Sequence, residues 1–265
     1  MKRLLLYSLA ILLSVSCSKK ITKPSYIKFQ HTNDSLHVVS ENLLKCPYQI
    51  VAQKEGKSMS DTLVIFPEEE KRLLSFSKNT MDTLTFLKQY KLKTAYGNSK
   101  MSTYDTLHPY ELPFLQHKDY KILQGNRTNF THNGRFSSYA IDFQMPIGDT
   151  ICAARDGYVV GIIQHHNKHG NDKSFREFAN YLTIYHDDGT FSQYVHLKQN
   201  GALVTRNQRV KKGEPIALSG HTGWSTQPHL HFAVFKVEPF EFVSIPFYFN
   251  DTFSTNLEKG RIMSH

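Results

Sequence analysis

Gln227-Pro228-His229-Leu230-His231-Phe232-Ala233-Val234-Phe235 reads as a β-strand, an apolar run bounded by Pro228 on one side and by Glu238-Pro239 on the other. Residues two apart in a strand share a face, with Cα atoms about 6.6 Å apart. His229 and His231 therefore stand side by side, while Leu230, Phe232 and Val234 point the other way into a core. Two imidazoles above an apolar floor can hold a metal, or one can hold it while the other moves protons. A solvated sheet face would carry the same pattern, so the decision passes to the rest of the chain.

Two more stretches repeat the arrangement. In Tyr139-Ala140-Ile141-Asp142-Phe143-Gln144, alternation sets Tyr139, Ile141 and Phe143 on one face and Asp142 on the other. A carboxylate framed by Ile and Phe needs a partner; a salt bridge to Arg135 or Arg155 would supply one, and a metal another. Tyr181 to His186, the Asp187-Asp188-Gly189-Thr190 turn and Phe191 to Leu197 form a hairpin signal. There alternation predicts Val195 and Leu197 on the core side, with Tyr194 and His196 facing outward. Three strands of one sheet would thus bring Asp142, His196, His229 and His231 to a common side.

The chain before this region is built differently. Met1-Lys2-Arg3, an apolar run from Leu4 to Leu13 and small residues up to Cys17 form a secretory signal layout. As a helix the apolar run spans about 15–18 Å, short of a bilayer core of about 30 Å. We expect residues 1–16 to be the signal, 17–24 a polar tether, 25–108 a small β-sandwich-like domain, 109–252 a second β domain and 253–265 a loose tail. Short alternating runs at Ser25–Phe29, Leu36–Val39, Tyr48–Ala52, Thr62–Phe66 and Tyr90–Tyr96 give the first domain its strands, and Leu73–Leu87 could hold a short helix. With 18 Phe and 14 Tyr the composition also favours sheet, and the fold class read here is all-β, mainly antiparallel.

The formal charge is +9, falling to +7 once Lys2 and Arg3 are cleaved away. A basic balance fits a polyanionic neighbour, but no Arg-rich recognition helix or RNA-binding signature is present, which argues against nucleic acid. Paired catalytic carboxylates of the glycosidase kind do not stand out. Cys46 and Cys152 sit among apolar residues and read as buried free thiols, although the sequence leaves a bridge between them open.

The region from about Tyr110 to Phe249 resembles the LytM-type (M23) zinc peptidase family. The resemblance is carried by Ala140-Ile141-Asp142-Phe143, Ala153-Ala154-Arg155-Asp156-Gly157, Tyr194-Val195-His196-Leu197, Ser219-Gly220-His221-Thr222-Gly223 and Pro228-His229-Leu230-His231-Phe232. It implies a zinc metalloendopeptidase acting on peptidoglycan cross-links or stem peptides, with Zn²⁺ held by His132, Asp142 and His231, and His196 and His229 as the non-ligand catalytic histidines. Two departures stand out. His132 precedes Asp142 by ten positions where four is usual, and His221 replaces a smaller polar residue. Cys17 is similar to a bacterial lipoprotein processing site, except that Ser14 stands where leucine is common; Ser14-Val15-Ser16 also suits an ordinary signal peptidase. The implied protein is exported to the cell envelope and held to a membrane by lipid on Cys17. A non-catalytic wall-binding or regulatory relative is the alternative. Residues 148–160 and 210–220 also resemble lipoyl and biotinyl carrier strands, which lack a His-x-His pair. The stretch Gln164–Ala179, with His165, His166 and His169, reads as a flexible wall of the substrate groove or a second metal site.

Overall fold

Alternating apolar positions produce an all-β molecule. The computed structural model describes residues 25–57, 61–101, 103–128, 131–249 and 252–265. The signal-like segment, Cys17 and the tether lie outside the described residues. No helix among the described residues is long and apolar enough to cross a membrane. The chain separates into two compact units, one ending at Asn98 and the other running from Ser99 to His265.

The first unit contains two three-stranded antiparallel sheets. One joins Ser25–His31, Ser35–Asn42 and Glu70–Ser77; the other joins Leu63–Ile65, Tyr48–Lys54 and Tyr90–Tyr96. Ile27 and Leu73 of the first sheet pack on Tyr48, Ile50 and Ile65 of the second. The helix expected over Leu73–Leu87 is confined to Thr83–Gln89, and Leu73 and Leu74 belong to a strand. A bulge explains the misreading. Val38 pairs with Leu74 and Val39 with Arg72, so Leu73 is an extra residue. Both leucines then pack inward, imitating a helical pair. The helix begins where Asp82 accepts a 2.7 Å hydrogen bond from the Thr85 N–H.

The second unit is organised by a nine-stranded sheet ordered 209–210, 157–163, 181–185, 191–195, 230–238, 141–143, 119–124 and 262–264, with 241–244 also pairing to the 230–238 strand. All its pairs are antiparallel. A three-stranded sheet of 150–152, 215–219 and 197–202 accompanies it. Leu182, Tyr194 and Phe232 are cross-strand neighbours on the core face, fully buried with Phe143, Ile151 and Phe247.

Two expectations are corrected here. Tyr194, opposite Leu182 and Phe232, faces the core, its hydroxyl accepting a 2.8 Å hydrogen bond from the Ala154 N–H, and Val195, opposite His231, faces the other side. Simple alternation fails because His196 takes a left-handed backbone, φ 65°, and interrupts the strand after Val195. The C-terminal segment is not loose. Ile262–Ser264 pairs with Asp119–Gln124, and Leu257 and Met263 are buried in the main core. Cys46 and Cys152 are both free and buried.

Candidate metal centre

Strand register creates the first contact. His231 lies directly opposite Asp142, so their side chains share a face, and His231 Nδ1 stands 2.8 Å from Asp142 Oδ1. His132 arrives from a tight turn. The Ser137 and Ser138 N–H groups both donate to the Gly134 carbonyl at 2.8 Å, and the Ala140 N–H donates to the Ser137 carbonyl at 3.0 Å. This turn takes up the long spacing between His132 and Asp142. His132 Nε2 lies 3.3 Å from Asp142 Oδ1 and 3.3 Å from His231 Nδ1.

The three donor atoms form a triangle with edges of 2.8, 3.3 and 3.3 Å. Donors about 2.0–2.1 Å from a tetrahedral zinc ion are separated by about 3.3 Å, so two imidazoles and one carboxylate at this spacing fit Zn²⁺ with a fourth position left open. His132, Asp142 and His231 form the metal-capable group of this kind among the described residues. The competing salt bridges do not form: Arg135 pairs with Glu238 and Glu241, and Arg155 pairs with Asp188 at 2.9 Å.

His196 and His229 flank this group. Their ring centroids are 4.4 Å apart, and that of His196 is 6.0 Å from His231. Neither lies inside a strand: His196 occupies the break after Val195, and His229 precedes the strand that starts at Leu230. His229 Nε2 is 3.9 Å from Asp142 Oδ2.

Backbone carbonyls set the tautomers. A carbonyl can only accept, so each imidazole nitrogen facing one carries the proton. His132 Nδ1 donates to Gly125 O at 2.8 Å, His196 Nδ1 to Thr222 O at 2.6 Å and His229 Nδ1 to Gln227 O at 2.8 Å. In the neutral rings each Nε2 then keeps a free lone pair. The sequence motifs contain Thr222 and adjoin Gln227, but main-chain acceptors leave no signature in residue type.

Burial and charge set the protonation states. Burial alone would raise the Asp142 carboxyl, but His132, His229 and His231 outweigh it and hold it well below its ordinary value. Burial, aided by His229 and His231, holds His196 well below the usual imidazole value. Burial also lowers His231 despite the Asp142 charge. For His132 burial pulls downward, the Asp142 carboxylate outweighs it, and the net shift is upward. The centre thus contains an anionic carboxylate and a neutral His196 at neutral pH.

The 164–179 stretch is tied down. His169–Gly170 pairs in parallel with Gly223–Trp224, and the His169 ring stacks on His221 at 4.0 Å. His221 Nε2 faces the Ser225 carbonyl at 3.0 Å. His165 and His166 also lie ring to ring at 4.0 Å. Among the described residues these histidines form no further metal-capable group. His186, which sequence reasoning passed over, is a satisfied core histidine: its Nδ1 donates to Asp156 O at 2.7 Å and its Nε2 meets Ser192 Oγ at 3.0 Å.

Residues 136–240 match the model of peptidase family M23. The matched residues include Asp142, His196, His229 and His231 and begin after His132. Over 160 residues the chain is 34% identical to an uncharacterized metalloprotease of Buchnera aphidicola subsp. Baizongia pistaciae, covering 57% of this chain and 39% of that relative. The peptidoglycan DD-endopeptidase ShyA of Vibrio cholerae is 38% identical over 101 residues, covering 38% of this chain and 19% of ShyA. The catalytic domain of lysostaphin from Staphylococcus simulans is 27% identical over 45% of this chain and 80% of that domain, with a TM-score of 0.33. The chain thus spans about two fifths of the first relative's length and a fifth of the second's.

Proposed function

We propose that this protein is a zinc metalloendopeptidase that hydrolyses peptide bonds in peptidoglycan cross-links or stem peptides. The observation that carries the reading is the convergence of His132, Asp142 and His231, with donor atoms within 4.8 Å of one another. The family match and the peptidoglycan endopeptidase named among the relatives support the substrate class. A divalent ion bound there supplies a Lewis acid that acidifies water and polarises a peptide carbonyl. His132 and His231 hold it through neutral imidazole nitrogens, and the Asp142 carboxylate offsets part of its charge. His196 and His229 each present Nε2 beside that position. One takes the proton of the attacking water on its Nε2 lone pair and returns it to the leaving amine; the other, once protonated at Nε2, donates to the developing oxyanion.

A peptidoglycan substrate fits an exported protein of the cell envelope, and the signal-like start with Cys17 supports anchoring by lipid. The decisive experiment pairs metal analysis with mass spectrometry of peptides released from purified cell wall. The wild-type protein is expected to retain one zinc ion and release peptides, and His231→Ala to lose both properties. Full zinc retention by His231→Ala would refute the ligand assignment. Zinc binding without peptide release by the wild type would instead favour a non-catalytic wall-binding protein.

A further inference from the structure

His196 holds a backbone conformation that a non-glycine residue keeps only when its surroundings over-determine it. The residue that does so is Thr222, which is 5% exposed. Its hydroxyl donates to the Leu197 carbonyl at 2.8 Å and accepts from the Asn180 N–H at 3.0 Å. The Leu197 N–H returns a bond to the Asn180 carbonyl at 3.2 Å, and the Asn180 side-chain amide donates to the Leu197 carbonyl at 3.3 Å. The main-chain carbonyl of Thr222 accepts the His196 Nδ1 proton at 2.6 Å. Asn180 and Leu197 are fully buried, so water does not replace these partners.

Thr222 is itself fixed through the residues that follow it. Gly223 has φ +84°, and a Cβ there would stand 2.5 Å from the Ala179 Cβ and 2.6 Å from its Cα. The Gly223 N–H donates to the Lys168 carbonyl at 2.8 Å and the Ser225 N–H to the Gly170 carbonyl at 3.1 Å. The stretch around His169 therefore braces the loop that holds His196. This differs from His229, whose ring meets Gln227 and Ser225 within its own loop.

We infer that Thr222 is a positioning residue for His196: its hydroxyl locks the chain just after the histidine, so that its carbonyl meets Nδ1 and leaves Nε2 free. Valine has the same shape but neither bonds Leu197 nor accepts from Asn180, whereas serine does both. The catalytic consequence rests on the proposed role of His196; the structural part does not.

The test uses the full chain labelled with ¹⁵N-histidine, with His196→Ala identifying the His196 signals. In the wild type, His196 is expected in the Nδ1–H form with an exchange-protected proton. In Thr222→Val this signature should give way to a mixture of tautomers. kcat should fall about 10- to 100-fold, with KM and zinc content unchanged, since displacements near 1 Å cost this much. Thr222→Ala, in which water can enter the vacated space, is the second disruptive variant if valine prevents folding. Thr222→Ser should restore both the spectrum and kcat. The inference is overturned if a folded Val or Ala variant keeps His196 in the Nδ1–H form, or if Ser fails as Val does. A wild type that hydrolyses nothing would instead sink the proposed function, while the nitrogen spectra still decide the positioning role.

Discussion

Replacing Gly220 by alanine should cripple turnover while leaving the metal in place. An added Cβ would lie 2.3 Å from the Lys198 nitrogen, 2.5 Å from the Leu197 carbonyl carbon and 2.7 Å from the Lys198 Cα. All three are main-chain atoms that cannot rotate away. Ordinary contact needs about 3.5 Å, so the two segments must part by about 1 Å. Leu197 directly follows His196 and pairs with Ser219, so the separation is transmitted to the His196 ring and its bond to Thr222. A misplacement of that size costs about 100-fold in rate. Overpacking costs about 1–3 kcal/mol, and at about 2–4 °C per kcal/mol for a unit of this size the melting temperature should fall by several degrees. His132, Asp142 and His231 lie on other segments, so zinc stoichiometry by plasma mass spectrometry should match the wild type. Calorimetry and kcat on a purified wall peptide complete the assay. Wild-type turnover at an unchanged melting temperature would refute the claim of close approach. Loss of zinc would refute the claim that the loop and the ligands are separable.

Four further outcomes are expected. His132→Ala should abolish zinc retention although His132 lies outside the residues matched to the family; dialysis against a weak chelator followed by metal analysis tests this. His196→Ala should keep zinc and lose about 10²–10⁴ in kcat, and stopped-time peptide release reads it directly. Tyr194→Phe leaves the buried Ala154 N–H without its partner, costing about 1–3 kcal/mol in urea unfolding. Burial pushes His186 down from 6.5 to about 3. The unfolded chain therefore binds a proton in this window that the folded chain does not. Stability should fall by up to about 5 kcal/mol as pH drops from 6.5 to 3, and His186→Gln should flatten that part of the pH–stability curve.

Much of this was readable from residue order because sheets obey period two. The strands around Tyr48, Leu63 and Tyr90, the hairpin closed at Gly189 and the placing of Asp142 and His231 on one side of a sheet follow from alternation; their direct opposition is a matter of register, which it does not give. The failures occur where that period breaks. The left-handed His196 breaks the alternation between Val195 and Leu197, so that Tyr194 and not Val195 shares the core with Leu197, and a bulge at Leu73 put two adjacent leucines on the core. The C-terminal strand has only three residues, Ile262–Ser264, too few to show alternation, and its pairing with Asp119–Gln124 depends on contacts distant in sequence. The acceptors for His132, His196 and His229 are peptide oxygens, common to all residues.

That last feature bears on how the centre tolerates genetic drift. Imidazole orientation is assigned to atoms every amino acid carries, so side-chain replacement at a position such as Gln227 leaves the acceptor in being. A mutational scan will therefore under-report such positions. Their contribution becomes visible only when the peptide unit itself is altered, for example by ester substitution of the amide linkage, which weakens the carbonyl as an acceptor without changing a single side chain.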